Sequence, residues 1–333
     1  MAIAFTICSN NYLAQASVLG YSLKKHYNDI QFFTILVDEY SDAIDYSQFP
    51  FTTIPIREIE PGIDELSEKY NIVELNTCVK PQVFKYLFEK HDDKQVIYFD
   101  PDIVIYDSLQ EFNLLFESYD ILLTPHIYTP IQMDGKNPDE NMFLNYGLYN
   151  LGFIAVQKSD ESIKFINWWK ERTYLNGYSR VSKGIFVDQL YINLVPIFFK
   201  GVHILKGRGY NMAPWNLHER YLTSENGSYK VNSNESLKFY HFSSFKFNSF
   251  ELPVHYYNRF YMNDREDLRE LYTNYNEQLS AAGYLSFNTI KCVYLEQYNK
   301  REKLRRKLRR RQKWNIKSLI NKSFTKLIKK LTK

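Results

Sequence analysis

An α/β fold on a parallel sheet is what this 333-residue chain predicts, from three observations. Short apolar runs alternate with longer amphipathic ones through the first half, the pattern of strands joined by crossover helices. Acidic residues stand immediately after two of those runs, where ligands collect at the carboxyl ends of parallel strands. The composition is 44% hydrophobic and 24% charged with Gly 12 and Pro 11, which suits one large core or two unequal ones and excludes collagen-like, low-complexity and disordered classes.

The elements follow in chain order. Ile3 to Cys8, Phe32 to Asp38, Phe51 to Pro55, Gln95 to Phe99, Asp120 to Leu123 and Asn150 to Val156 are short and rich in Ile, Val, Phe or Tyr, the signature of strands. Asn10-Asn11 caps a predicted helix through about His26, and Asn76-Thr77 caps another through about Lys90, with Pro81 tolerated in its first turns. An amphipathic helix is expected through Phe165, Trp168, Trp169 and Arg172, and Gly184 to Leu194 is read as helical. After position 200 come short strands, loops and many aromatics. No internal repeat occurs, and neither glycine-rich phosphate loop is present, which argues against dinucleotide and P-loop enzymes. Cys8, Cys78 and Cys292 have no metal-ligand spacing and are too few for a disulfide framework, so a reducing cytosol is expected. The apolar run Ile3 to Ile7 has no basic leader, and no apolar run reaches the roughly 18 residues of a bilayer span, so neither secretion nor a transmembrane segment is expected.

Charge is divided unevenly. Residues 300 to 333 hold 16 of the 42 Lys and Arg and the single acid Glu302, a net of +15, leaving −11 on residues 1 to 299. Within that tail, Ile316, Leu319, Ile320, Ser323, Phe324, Leu327, Ile328 and Leu331 recur at helical spacing. Lysines occupy the other faces, Trp314 stands at the entry, and the run Lys303 to Arg311 is densely basic, the composition of a helix lying in an anionic lipid interface. Docking on the protein body or binding nucleic-acid phosphates are the alternatives, and the acidic body disfavours the second.

Three constellations carry chemistry. Asp100-Pro101-Asp102 breaks two apolar runs, and the proline holds Asp100 extended, so two carboxylates meet on a bend as a Mg²⁺ or Mn²⁺ site requires. A solvated turn is the plain alternative. Asp188 and Gln189, bordered by Phe186, Val187 and Leu190, place an acid and an amide on one rim, for catalysis or as a buried hydrogen-bonded pair. His241 follows an apolar run and offers nitrogen to a borderline cation or sits in the core, and Trp215 stacks on a sugar ring or fills the core.

The order of these motifs, a strand with Asp-x-Asp, then Asn150-Leu-Gly-Phe-Ile-Ala, then Asp188-Gln189, then a late His, resembles the GT-A glycosyltransferases of the family 8 type over about residues 1 to 250. The resemblance implies a Rossmann-like nucleotide-sugar-binding domain with a mixed central sheet. It implies that Asp100, Asp102 and His241 hold Mn²⁺ (or Mg²⁺) against a diphosphate, and that Ser9, Asn10, Asn11 and Tyr12 line the nucleoside pocket with Lys80 and Asp100 near the donor. Asn150 would face the donor sugar, Asp188 and Gln189 the anomeric carbon, with configuration retained. Members often carry His-x-x-Gly-x-x-Lys-Pro; here Ser244 replaces the glycine and Lys246 comes one position early. For an inverting enzyme the base would be Asp188 first and Glu219 second.

The expectation is therefore a catalytic domain over 1–250, a helical extension over 251–299 and a basic amphipathic membrane-association segment over 300–333. The chain would move a hexose from a nucleotide-sugar donor, a UDP-sugar, to a hydroxyl of a glycan or lipid-linked acceptor, at the inner face of the cell membrane. A protein acceptor, a sugar-phosphate nucleotidyltransferase, and a non-catalytic peripheral membrane or nucleic-acid-binding protein are the alternatives.

Overall fold

A computed structural model describes residues 2–331 apart from positions 28, 50, 226, 250, 252, 254 and 255, with side chains as far as position 313. β1 (Ala2–Cys8), β2 (Gln31–Leu36), β3 (Thr52–Pro55) and β4 (Gln95–Phe99) are mutually parallel, in the order β4-β1-β2-β3. β1 is buried at all seven positions, which is why it reads as an unbroken apolar run rather than an alternating one. The short β5 (Ile103–Ile105) leaves this sheet, and β6 (Ile121–Pro125) returns to it. β7 (Tyr149–Gln157) inserts between β4 and β6 antiparallel to both, so the fold is α/β with a mixed sheet.

That reversal positions the site. The amino end of β7 lies on the same sheet edge as the carboxyl ends of its neighbours, bringing Asn150 to where β4 delivers Asp100. Phe99 pairs with Phe153, and the Asp100 amide donates to the Gly152 carbonyl at 2.7 Å.

The helices differ from expectation at their starts. Asn10–Tyr12 forms a 3-10 turn, and α1 (Leu13–His26) begins after it without a side-chain cap, because the Asn10 amide is committed to Asp38 instead. After α2 (Ile56–Ile59) and α3 (Ile63–Lys69), α4 (Ile72–Cys78) is capped by Asn71, which bonds the Val73 and Glu74 amides while Glu74 returns to the Asn71 amide. Asn76 and Thr77 therefore lie inside a helix rather than capping one. α5 (Lys80–Lys90) is separate, since Pro81 has no N–H for the Thr77 carbonyl and forces a break. α6 (Glu111–Leu115) and α7 (Glu140–Tyr146) are short, and α8 (Asp160–Asn176) buries Phe165, Ile166, Trp169 and Thr173 on one face. Residues 185–194 are not an α-helix: a hairpin of β8 (Ser179–Arg180) and β9 (Ile185–Phe186) leads into a 3-10 helix over Gln189–Leu194, then α9 (Val195–Phe198).

β10 (Val202–Ile204) completes the seven-stranded sheet, and β11 (Leu222–Glu225), β12 (Ser228–Val231) and β13 (Glu235–Ser236) form a small separate one. β14 (Phe239–His241) pairs with β5 so that His241 faces Ile103, directly after Asp102. Alternate residues of β1 and β4 feed opposite cores, Phe5 and Tyr98 packing with Phe84 and Trp169 on one face, Ala4 and Phe99 with Phe112 and Phe153 on the other.

A third core joins β5 and β14 to α10 (Arg269–Ala281), Tyr275 lying 3.8 Å from Phe242 in a stacked pair. After α11 (Tyr284–Phe287), α12 (Val293–Leu331) runs unbroken through position 300. Its root is tied to the body: the Val293 amide donates to Asp38 Oδ1 at 2.8 Å and Arg301 to the Ser67 carbonyl. Trp314 and the apolar stripe beyond it lie outside the residues whose side chains are described. Among the described residues no helix is long and apolar enough to cross a membrane, and all three cysteines are free and buried.

Candidate active site

A cavity of about 740 Å³ opens on the edge where β4, β6 and the start of β7 meet. Asp100, Asp102 and His241 stand together on its wall, each offering one ligand atom, all within 4.8 Å of one another. His241 Nε2 is 3.1 Å from Asp102 Oδ1 and 3.7 Å from Asp100 Oδ2. Burial works against a charged imidazole, but the neighbouring Asp102 and Asp100 carboxylates outweigh it and hold His241 above its ordinary pKa. Gly152 leaves the space the ring fills, since a Cβ there would sit 2.4 Å from His241 Cε1. Two carboxylates and an imidazole suit Mn²⁺ or Mg²⁺ better than a thiophilic metal.

Behind the carboxylates Lys80, 3% exposed, projects from the first turn of α5. Its ammonium donates to the Leu151 carbonyl at 2.9 Å, lies 3.0 Å from Asp188 Oδ2 and 3.9 Å from Asp100 Oδ1, and stands 4.4 Å from the centre of the Tyr98 ring. The Tyr98 hydroxyl donates to Asp100 Oδ1. Burial pushes the Asp188 carboxyl up, and Lys80 only partly offsets it. Asp188 follows Val187, whose φ of +42° is a left-handed conformation costly for a β-branched residue, and it turns the chain from β9 into the 3-10 helix.

Gln189 is held at both ends, its Oε1 accepting from the Leu151 amide at 2.9 Å and its Nε2 donating to the Tyr146 carbonyl at 2.8 Å. Asn150 Oδ1 accepts from the Gly152 amide and from Asn211 Nδ2, at 3.1 and 3.0 Å, and its amide nitrogen faces His126 Nε2 at 3.3 Å. Burial lowers His126 to about 4, so the ring is neutral at pH 7. Trp215, 5% exposed, stands edge-on to His126 and His241 and lines the cavity.

The cavity thus gathers Tyr12, Lys80, Asp100, Asp102, Asn150, Asp188, Gln189, Trp215 and His241 from sequence segments more than 200 positions apart. Ser9, Asn10 and Asn11 are not on its lining: Ser9 bonds Asn11 at 2.6 Å, and Asn10 is held by Asp38 and the Glu39 carbonyl. Glu219 is turned away, accepting from the Tyr128 amide and the Thr129 amide and hydroxyl. Lys246 is exposed and off the lining, whereas Ser244, at φ +57°, adopts the left-handed backbone a glycine would adopt freely. His126 and Tyr98 were not singled out from sequence. His126 follows the apolar run of β6 and carried the same strand-end signal as Asp100; Tyr98 carried only its spacing of two from Asp100.

No family model matches the chain. It is 22% identical over 250 residues to the uncharacterized protein YfnD of Bacillus subtilis (strain 168), covering 72% of this chain and 76% of that one. It is 23% identical over 285 residues to the uncharacterized protein YfnF of the same organism, covering 82% and 90%. Among solved structures it is similar to the galactosyltransferase LgtC in complex with donor and acceptor sugar analogs, at 16% identity, 84% and 96% coverage and a TM-score of 0.45. The glycosyltransferase GlyE of Streptococcus pneumoniae TIGR4 shows 13% identity, 87% and 66% coverage and a TM-score of 0.45. At that level of likeness the functional reading has to stand on the residues of the site.

Proposed function

We propose that the chain is a metal-dependent glycosyltransferase that moves a hexose from a nucleoside diphosphate sugar, a UDP-sugar, to a hydroxyl of a glycan or lipid-linked acceptor. The observation that carries this is the charge balance of the cavity. Asp100, Asp102 and Asp188 face one ammonium, Lys80, and the His241 imidazole, the second imidazole of the lining, His126, being neutral at pH 7. Left so, the wall would repel a diphosphate; a divalent cation on Asp100, Asp102 and His241 would make it attractive. When bound, that cation would neutralise charge developing on the departing nucleoside diphosphate. Ser9 to Tyr12 are assigned to the nucleoside side, where Tyr12 reaches the lining and Asn10 braces the turn from behind.

The chain's own groups divide the remaining work. Lys80 stands with its amine nitrogen beside Asp100 and orients Asp188. Asn150, fixed through its oxygen by Gly152 and Asn211, turns its amide nitrogen toward the cavity side of His126, where sugar hydroxyls would lie. Retention is the favoured stereochemistry because no carboxylate among the described lining residues is free to collect an acceptor proton: Asp188 is 1% exposed against Lys80, the other two belong to the metal set, and Glu219 is engaged elsewhere. The basic α12 is assigned to an anionic membrane surface at the cytoplasmic leaflet, its cations Lys303 to Arg311 being exposed.

A thermal-shift panel of nucleotide sugars with and without Mn²⁺ tests the reading. Stabilisation by UDP-sugars only in the presence of Mn²⁺, and its disappearance in Asp102→Ala with the metal-free melting temperature preserved, is the expected result. No stabilisation by any nucleotide sugar with any divalent cation would sink it.

A further inference from the structure

Asp100 has two oxygens and two different sets of neighbours. Oδ1 accepts from the Tyr98 hydroxyl and lies 3.9 Å from the Lys80 ammonium, while Oδ2 lies 3.7 Å from His241 Nε2, toward the candidate metal position. Tyr98 and Asp100 are two residues apart on one extended segment, so their side chains leave the same face, and the phenol reaches the carboxylate without a turn.

The ring itself cannot wander: it is 2% exposed, its centre is 5.1 Å from that of Phe5, and Lys80 covers its face at 4.4 Å. A carboxylate at a strand end otherwise rotates about χ2 and offers either oxygen, or both, to a cation or to Lys80. A donor locked on Oδ1 removes that choice. We infer that Tyr98 is a positioning residue for metal binding, its hydroxyl holding Asp100 in the one rotamer that presents Oδ2 beside Asp102 and His241. The inference rests on the metal site proposed above.

The geometry also separates the tyrosine's two jobs. The ring packs in the core with Phe5 and Phe84 and contributes to stability; the hydroxyl adds nothing to that packing, and its hydrogen bond among the described residues goes to Asp100. Removing only the oxygen therefore isolates the second job. Partners of this kind typically change metal affinity by about 10–100-fold.

The test is Tyr98→Phe in the full chain, titrated with Mn²⁺ alone and followed by the electron paramagnetic resonance of free Mn²⁺, with thermal unfolding of the metal-free protein in parallel. Tyr106→Phe, which removes a buried hydroxyl that has no hydrogen-bond partner among the described residues and stands away from the cavity, is the control. The expected outcome is a Mn²⁺ dissociation constant raised about 10–100-fold in Tyr98→Phe, unchanged in Tyr106→Phe, with turnover recovering at saturating Mn²⁺. A Tyr98→Phe protein that binds Mn²⁺ as the wild type does overturns the inference, whatever its melting temperature, and leaves the metal reading standing. A wild-type chain that binds neither Mn²⁺ nor Mg²⁺, alone or with UDP present, overturns both.

Discussion

Gly152→Ala should damage two properties at once. Its Cβ would press 2.4 Å from His241 Cε1 and 2.8 Å from Asn150 Oδ1, both packed and immobile, so stability is expected to fall by about 1–3 kcal/mol. Mn²⁺ affinity should fall with it, and denaturant unfolding with a metal titration checks the pair. His126 makes a different prediction. Its pKa in the fold is lowered to about 4 by burial, below the 6.5 of a free imidazole, so as pH falls below 6.5 the unfolded chain takes up a proton that the native chain refuses. Stability should decline between those two values, and His126→Gln should flatten that part of a melting-temperature profile. The cluster of Asp100, Asp102 and His241 was legible in sequence because an Asp pair at a strand end and a histidine after an apolar run are local signals. Tyr98 and His126 were not, since a tyrosine hydroxyl or a neutral imidazole acquires meaning only from what folds against it. Asn10 shows the converse: a polar residue in the right loop whose amide turns back to Asp38.

At the scale of elements, the strands were legible because sheets covered on both faces demand unbroken apolar runs, and β1 is one. The reversal of β7 was not, because strand direction leaves no mark on composition. The break between α4 and α5 is written in Pro81, so the helix expected from Asn76-Thr77 to about Lys90 begins only at Lys80. The cap that does exist predicts its own loss: Asn71→Ala should cost about 1 kcal/mol in urea unfolding. The root of α12 makes a sharper test. Cys292 and Tyr294 belong to the main core, and the Val293 amide is one of the donors on buried Asp38. A chain cut after position 302, which keeps Arg301 on the Ser67 carbonyl, should melt like the whole protein, and one cut after position 291 should melt several degrees lower. Equal melting of the two would show the root to be ornamental.

For the molecule as a whole, charge was the most legible property and the structure gives it a place. The +15 of residues 300 to 333 is carried on a helix whose first turns are built into a body of net −11. Removing residues 300–333 should release the protein from anionic vesicles while turnover of a soluble acceptor is kept, and added salt should weaken vesicle binding of the intact chain in co-sedimentation. Bound vesicles after the cut would place the contact elsewhere. The length of α12 carries a last consequence. Its 39 residues would span roughly 58 Å if straight, and their first turns are bonded to the body through Val293 and Arg301. A protein hung on a loose tether samples every height above a lipid sheet, whereas one on a stiff arm holds a single altitude and tilt. On the membrane assignment proposed above such an arm would act as a gauge: acceptors of one reach would meet the cavity, and shorter or longer ones would pass under or over it.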